Sequence, residues 1–186
     1  VVYGNRPEDA HLSREEELGR SHTLSPRACY DEGKRWAESI CATYAQQYGV
    51  EAKIARIFRT YGPRMALYDG QLIPDFITNA LEGKPLEVYG DETFRSSLVY
   101  VADVVDGLIK LMQAPKDIGP VNIGSDVDVQ IFEVAKQILQ MTGTAASIEY
   151  KPPLLFLTQL GLPDLTKAKG RLGWVPLTRL ENGLKE

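Results

Sequence analysis

Apolar residues along the chain follow two spacings, one typical of helices and one typical of strands. Spacings of three and four residues predict helices, whereas alternation and short apolar runs predict strands. Helices are predicted over residues 26–47, 72–82, 101–113, 132–141 and 165–172. Strands are predicted over residues 50–58, 86–89, 97–101, 121–123 and 148–150. Because strands alternate with helices, the pattern indicates an α/β fold with a mainly parallel sheet.

Residues at the predicted helix ends support these boundaries. Ser25 is a favoured N-cap and Pro26 a favoured first helical residue, so the first helix is expected to begin there. Gly49 provides its end. Asp128 is expected to cap the fourth predicted helix and Gly143 to close it.

The beginning of the chain is unusual for a domain. Residues 1–4 resemble the tail of a buried strand whose body is missing, and residues 5–24 form a polar segment typical of a long loop. We therefore expect the chain to be a fragment, a partial gene product or one part of a split protein. A missing N-terminal half is then a candidate partner.

Composition and charge exclude several classes of protein. The chain has 186 residues and a formal net charge of −4, so nothing favours nucleic acid or an anionic membrane surface as a partner. No apolar run approaches the ~18 residues that a membrane span needs. Cys29 and Cys41 lie about 18 Å apart along one predicted helix, which is too far for a disulfide. A reducing cytoplasm is the expected compartment.

One pair of side chains suits proton transfer. Tyr30 and Lys34 are four residues apart on the first predicted helix, which places them on one face, one turn apart. A free tyrosine, with a pKa near ~10, is a poor base, but a neighbouring ammonium favours the phenolate. Such a pair could take a proton from a sugar hydroxyl while hydride leaves for a nicotinamide. Taken alone the pair is a weak signal, since the same spacing also arises by chance.

The surrounding motifs add specificity. In order they are Ser25-Pro-Arg-Ala-Cys-Tyr-Asp-Glu-Gly-Lys34, Ala55-Arg-Ile-Phe58, Thr60-Tyr-Gly-Pro-Arg-Met65, Asp69-Gly70, Tyr100-Val-x-Asp103-Val, Pro120-Val-Asn-Ile-Gly124 and Pro163-Asp-Leu-x-Lys-Ala-Lys-x-x-Leu-Gly-Trp-x-Pro176. Their order and spacing resemble the NAD-dependent nucleotide-sugar enzymes of the extended short-chain dehydrogenase family. The run around Tyr30 is similar to UDP-glucuronate decarboxylases, and the whole set is more loosely similar to epimerases and dehydratases.

The resemblance implies a two-lobed α/β enzyme with a doubly wound, Rossmann-like parallel sheet for NAD and a small C-terminal lobe for a UDP-sugar. Residues 1–62 would be the C-terminal portion of the NAD-binding lobe. Residues 63–186 would mainly form the substrate-binding lobe, with residues 100–124 returning to the NAD-binding lobe. The chain would thus hold only part of the doubly wound sheet.

The resemblance also implies roles for individual residues. Tyr30 would transfer the proton, Lys34 would lower its pKa and contact the nicotinamide ribose, and Thr60 would lie beside the cofactor. Substrate contacts would come from Tyr44, Arg64 and Arg95. Arg64 follows a turn and could be a solvated surface charge, but the match to Gly-Pro-Arg-Met favours a place in the cleft. NAD would oxidise the 4-hydroxyl of the sugar, the C5 carboxylate would leave as CO₂, and NADH would return the hydride.

Several features of the family are missing or changed. No Gly-x-Gly-x-x-Gly or Gly-x-x-Gly-x-x-Gly loop for a pyrophosphate occurs in the chain. The family's catalytic Ser or Thr would lie ahead of Val1, which itself occupies a catalytic Glu position. Other family positions are changed as well. Arg59 replaces an Asn and Ala66 a His, whereas Gln71, Ser96 and Gly161 each replace an Arg. Phe156 and Leu157 replace an acidic pair. Arg95 is one residue away from the Arg position, so in a strand it would point to the opposite face. These changes should weaken the binding of anionic groups.

Two other functions remain open. The fold could serve as a non-catalytic binding or dimerisation module, since the helix over 26–47 often packs against its copy in this family and a homodimer is expected. The enzyme could also be a 4-epimerase or a 4,6-dehydratase. No metal site is expected, because His11 and His22 lie in a predicted loop that lacks a reliable set of Cys or carboxylate ligands around them.

Overall fold

The computed structural model describes residues 1–4, 12–115, 117–153 and 161–186. The helices are Ala28–Tyr48 (α1), Leu72–Leu81 (α2), Val101–Gln113 (α3), Ile131–Thr142 (α4), Thr166–Leu172 (α5) and Leu180–Gly183 (α6). The strands are Ala55–Ile57 (β1), Thr60–Tyr61 (β2), Leu86–Tyr89 (β3), Arg95–Ser96 (β4), Val99–Tyr100 (β5), Val121–Ile123 (β6), Val129–Gln130 (β7) and Ile148–Lys151 (β8).

Most strand pairs are parallel, which confirms the predicted α/β class. β1 pairs with β6, β2 with β5 and β3 with β8 in parallel, while β4 and β7 are antiparallel. In the longest of these pairs, Leu86 lies opposite Ile148 and Tyr89 opposite Lys151. Parallel strands need crossover connections, and the intervening helices provide them.

Local hydrogen bonds move several predicted boundaries. α1 begins at Ala28 rather than Pro26, because the Ala28 N–H bonds to the Ser25 carbonyl oxygen at 3.0 Å and closes a turn ahead of the helix. The N-cap of α4 is Gln130 rather than Asp128, since the Asp128 carboxylate accepts a 2.9 Å hydrogen bond from Arg95 Nε. Neither helix has a side-chain cap.

Two predicted strands are shorter or interrupted. Of the predicted strand over 50–58, only Ala55–Ile57 pairs with another strand in the described part of the chain. Of the predicted strand over 97–101, only Val99–Tyr100 (β5) is a strand, and it pairs with β2. Strand β4 lies just before the predicted range and pairs with β7. The two-residue strands β2, β4 and β7 and the four-residue helix α6 were not predicted, because elements this short carry too little periodicity to detect.

Buried apolar side chains form two clusters. The first core joins α2, α4 and β3, with Phe76, Val88 and Ile138 almost fully buried. The second core joins α3, β6 and α5 around Trp174. The indole Nε1 of Trp174 donates a 2.9 Å hydrogen bond to the Asp103 carbonyl oxygen, so the polar N–H of this buried side chain has a hydrogen-bond partner. The division of the chain into a portion of the NAD-binding lobe, residues 1–62, and a mainly substrate-binding lobe, residues 63–186, stays a prediction.

A buried polar network ties the start of the chain to β6. Asn122 is fully buried, donates from Nδ2 to the Ser13 carbonyl oxygen at 2.9 Å and accepts the Tyr3 hydroxyl at 2.6 Å. Its backbone N–H bonds to Glu15 Oε1 at 2.9 Å, and Arg56 Nη1 bonds to the Glu15 carbonyl oxygen at 3.0 Å. Because every member has a partner, the network fixes Tyr3 and the segment around Ser13 beside β1 and β6.

Candidate active site

Helix α1 carries the predicted catalytic pair and is poorly covered by the rest of the described chain. None of its residues is buried, although it is 21 residues long. Its large side chains are exposed, with Tyr30 at 49%, Tyr44 at 53%, Trp36 at 67% and Tyr48 at 68%.

The structure brings Tyr30 and Lys34 together. Lys34 Nζ lies 5.4 Å from the centre of the Tyr30 ring, and the guanidinium carbon of Arg27 lies 4.8 Å from it. Arg27 Nε also donates to Asp31 Oδ1 at 2.9 Å, which holds its side chain at the first turn of α1. Two cations therefore lie within 5.4 Å of the centre of the Tyr30 ring, and the sequence analysis identified one of them, Lys34.

A cleft of 520 Å³ separates α1 from β1. Tyr30 and Lys34 line one wall, and residues 53–58 line the other. Strand β1 pairs with β6, and Ile57 on β1 remains 51% exposed. The cleft is large enough for a ligand group or an additional segment of polypeptide.

A partly buried ion pair bridges the two walls of the cleft. Arg56 donates from Nε and Nη2 to both carboxylate oxygens of Glu38, at 2.9 and 2.8 Å. Burial alone would lower the pKa of Arg56, but its hydrogen bonds to Glu38 and Tyr3 outweigh burial and raise the pKa. Burial also raises the pKa of Tyr3 to about 12. The guanidinium of Arg56 is therefore a fixed positive charge 4.8 Å from the centre of the Tyr3 ring.

Sequence reasoning missed the Arg56–Glu38 pair. Glu38 lies four residues after Lys34, so it continues the helix face of Tyr30 and Lys34, and this spacing was the available signal. Nothing in the sequence of β1 marks Arg56 as its partner, because the two residues meet only through the tertiary packing of α1 against β1.

Thr60 and Arg59 lie just beyond the carboxyl end of β1, where ligands bind in open parallel sheets. The Thr60 hydroxyl donates to the Phe58 carbonyl oxygen at 3.0 Å. Arg59 is partly buried, and burial together with the charge of Arg27 lowers the pKa of its guanidinium. The Arg59 carbonyl oxygen accepts a 3.0 Å hydrogen bond from Val99 N–H, which fixes the backbone here.

The three predicted substrate residues are not among those that line the cleft. Tyr44 contacts Tyr48 with ring centres 5.2 Å apart. Arg64 is exposed and has a left-handed backbone with φ 68°. Arg95 is exposed and bonded to Asp128. Their assignment to a substrate stays a prediction.

The displaced arginine behaves as the strand geometry predicts. In β4, Ser96 is 4% exposed, whereas Arg95 points outward. Arg95 Nη2 also donates to the Asp128 carbonyl oxygen at 3.0 Å, so the side chain is held on the outer side by two hydrogen bonds. Arg95 therefore does not replace a cation at the position of Ser96.

The remaining changed positions differ in their surroundings. Ala66 and Gln71 are exposed, Gly161 is buried, and Val1 lines the cleft. Phe156, Leu157 and His11 lie outside the described residues. Both cysteines are free thiols, with Cys29 exposed and Cys41 partly buried. The cytoplasmic location of the protein stays a prediction.

The described residues contain neither a cluster of metal ligands nor a helix that could span a membrane. Within 1–4, 12–115, 117–153 and 161–186, no group of three or more His, Cys, Asp or Glu side chains is placed to hold a metal ion. No helix in these ranges is long and apolar enough to cross a membrane.

The fold and the Tyr30–Lys34 pair point to one class of protein. The model of the NAD dependent epimerase/dehydratase family matches residues 1–124, and the chain belongs to this family. It is 43% identical over 185 residues to UDP-glucuronic acid decarboxylase 1 of Xenopus tropicalis, covering 100% of this chain and 43% of that protein. It is 39% identical over 183 residues to UDP-glucuronic acid decarboxylase 1 of Arabidopsis thaliana, covering 98% of this chain and 41% of that protein. The chain therefore spans less than half the length of these relatives.

Solved structures share the fold. The UDP-glucuronic acid 4-epimerase of Bacillus cereus, in complex with UDP-glucuronic acid and NAD, superposes with a TM-score of 0.86 at 25% identity, covering 99% of this chain and 56% of that chain. The UDP-glucose 4-epimerase of Thermotoga maritima, with UDP-glucose, gives a TM-score of 0.87 at 28% identity, covering 100% of this chain and 59% of that chain. The dTDP-glucose 4,6-dehydratase of Bacillus anthracis, in complex with NAD, gives a TM-score of 0.85 at 29% identity, covering 100% of this chain and 56% of that chain.

Proposed function

We propose that the chain supplies the proton-transfer pair of an NAD-dependent nucleotide-sugar enzyme of the UDP-glucuronate decarboxylase type. The observation that carries the proposal is the placement of Tyr30 and Lys34 on one wall of the cleft. It is supported by 43% identity to a UDP-glucuronic acid decarboxylase along the whole chain. UDP-glucuronate is the proposed substrate and UDP-xylose the proposed product.

In this proposal the chain's own residues move and stabilise a proton. The phenolate oxygen of Tyr30 accepts the proton of the sugar 4-hydroxyl and becomes a neutral phenol. Lys34, whose Nζ lies 5.4 Å from the ring centre, stabilises the phenolate before this transfer. NAD, when bound, supplies the hydride acceptor and later returns the hydride. Arg56 and Glu38 hold α1 and β1 at a fixed separation, which keeps Tyr30 in position across the cleft.

The residues present fit only part of the cofactor. Tyr30, Lys34 and Thr60 would hold the nicotinamide ribose end. The chain contains no glycine-rich loop whose backbone N–H groups could bind the pyrophosphate. We therefore propose that NAD and the UDP-sugar bind when an N-terminal half completes the sheet beside β1.

A hybrid protein tests this function. The N-terminal half of a UDP-glucuronic acid decarboxylase is joined ahead of Val1, and conversion of UDP-glucuronate is followed by NADH absorbance and by product analysis. We expect detectable oxidation but weak decarboxylation, because Val1, Ser96 and Gly161 lack the charges of the family. Each lost charge-assisted contact costs about 1.5–3 kcal/mol, or roughly tenfold or more in binding.

Two substitutions make the test specific. Tyr30→Phe should abolish turnover, whereas Tyr48→Phe, on the same helix and 68% exposed, should leave it unchanged. An unchanged rate in Tyr30→Phe would refute the catalytic assignment. An epimerised or dehydrated sugar in place of UDP-xylose would assign the chain to the 4-epimerase or 4,6-dehydratase branch.

A second candidate, a non-catalytic dimerisation module, is favoured by the exposed surface of α1. Trp36, Tyr44 and Tyr48 are each more than half exposed, and a second copy of α1 would cover them. We propose a homodimer through α1 in either function. Light scattering of the chain should show a dimer or larger assembly that Trp36→Glu dissociates. A compact monomer at high concentration would contradict the interface, and an active hybrid that remains monomeric would separate catalysis from dimerisation.

A further inference from the structure

The loop between β2 and α2, residues 62–71, has an unusual backbone. Arg64 and Tyr68 adopt left-handed conformations, with φ 68° and 59°. Residues with side chains rarely adopt this region, and for a bulky residue such as tyrosine it is a strained conformation. Such strain persists only where surrounding contacts hold the backbone in place.

Two contacts hold the loop. Met65 packs against the first core directly after Arg64. The Tyr68 hydroxyl donates a 2.8 Å hydrogen bond to Glu82 Oε1 at the end of α2. Each left-handed residue therefore lies at or next to an anchoring contact, and Arg64 projects from the segment between β2 and the Met65 anchor.

Glu82 is itself held in place by a second partner. Lys84 Nζ contacts Glu82 Oε2 at 2.7 Å, so each carboxylate oxygen has its own partner. The ion pair with Lys84 and the hydrogen bond from Tyr68 lower the pKa of Glu82. The acceptor for Tyr68 is thus an ionised carboxylate with a restricted orientation, which strengthens the hydrogen bond.

We propose that the Tyr68–Glu82 hydrogen bond is a latch that keeps the 62–71 loop, which also carries Arg64, in its left-handed turns. The latch is independent of the proposed function, whereas its value for substrate binding rests on that function. The apolar loop residues Leu67 and Tyr68 remain 59% and 72% exposed, so core packing does not hold this end of the loop.

Limited trypsin digestion of the 186-residue chain tests the latch, because the Arg64–Met65 bond lies in the loop. The reference is the Lys110–Leu111 bond inside α3. Tyr68→Phe and Glu82→Ala should each accelerate cleavage after Arg64 by about threefold or more, the factor expected for one hydrogen bond, without accelerating cleavage after Lys110. Glu82→Gln retains an acceptor oxygen and should stay near the original rate, and Lys84→Ala should have a smaller effect than Glu82→Ala.

The double variant Tyr68→Phe/Glu82→Ala makes the test decisive. If the two groups act through one hydrogen bond, the double variant is cleaved no faster than the faster single variant. Three results would overturn the proposal: an unchanged rate in Tyr68→Phe, independent effects that multiply in the double variant, or equal acceleration of both bonds. Because Tyr68 is exposed, its substitution should leave the melting temperature unchanged, which separates loop opening from unfolding of the chain.

Discussion

Helices α1 and α4 differ in how much of their stability the described chain provides. α4 has 12 residues and buries Ile131, Val134, Ala135 and Ile138. α1 has 21 residues and buries none. Most helical stability in proteins comes from packing of an apolar face, so α4 is stabilised by the first core, whereas α1 is held to the described chain mainly by polar contacts. These include the Arg56–Glu38 pair and the hydrogen bond from Arg35 to the Val2 carbonyl oxygen. The candidate catalytic pair therefore lies on the least covered helix.

The same contrast separates the two tryptophans of the chain. Trp174 is fully buried in the second core, and Trp36 on α1 is 67% exposed. Trp174→Ala should lower the free energy of unfolding by about 3–5 kcal/mol, because it removes a large buried ring and its hydrogen bond to Asp103. Trp36→Ala should change it by less than about 0.5 kcal/mol in the monomer. Urea unfolding of both variants measures the difference, and similar losses would show that α1 is covered in solution.

Two glycines give a second matched comparison with a smaller effect. A methyl group on Gly183 would collide with the Tyr61 hydroxyl and lie 2.8 Å from Tyr100 Cδ2, whereas one on Gly33 in α1 would meet nothing within 4 Å. Gly183→Ala should therefore cost about 1–3 kcal/mol of unfolding free energy. Gly33→Ala should stabilise the chain by about 0.5–1 kcal/mol, because alanine favours a helix interior. Denaturant titration checks both signs, and a destabilising Gly33→Ala would reveal a partner packed against α1.

Sequence predicted the helices well and the tertiary pairs poorly. The helix over 101–113 and the strand over 121–123 are confirmed residue for residue, since α3 and β6 have clear apolar faces and sharp ends. Ser25 failed as an N-cap because a turn bonded at Ala28 displaces the start of α1, a local geometry that residue preference does not encode. Family motifs identified Tyr30 and Lys34, but the Arg56–Glu38 pair was missed because only packing of α1 against β1 brings these two residues together. Arg27 was missed although it lies three residues before Tyr30, a spacing at which helical side chains meet.

The smallest predicted effect concerns pH and lies in the well-covered region. Asp164 accepts hydrogen bonds from Thr166, whose backbone N–H is 2.8 Å from Asp164 Oδ1, and Arg14 Nε lies 3.3 Å from Oδ2. The bonds from Thr166, followed by the charge of Arg14, lower the pKa of Asp164 from its ordinary value of 3.8. A carboxyl group whose folded pKa is lowered contributes stability that is fully present above its ordinary pKa and is lost as pH falls through the folded value. Asp164→Asn should lower the free energy of unfolding by about 0.5–1.5 kcal/mol at pH 7. The loss should become progressively smaller below pH ~4, because the original chain loses the same contribution there. Unfolding free energies measured from pH 7 to pH 3 test this, and a constant difference between the two proteins across that range would show that ionised Asp164 does not stabilise the second core.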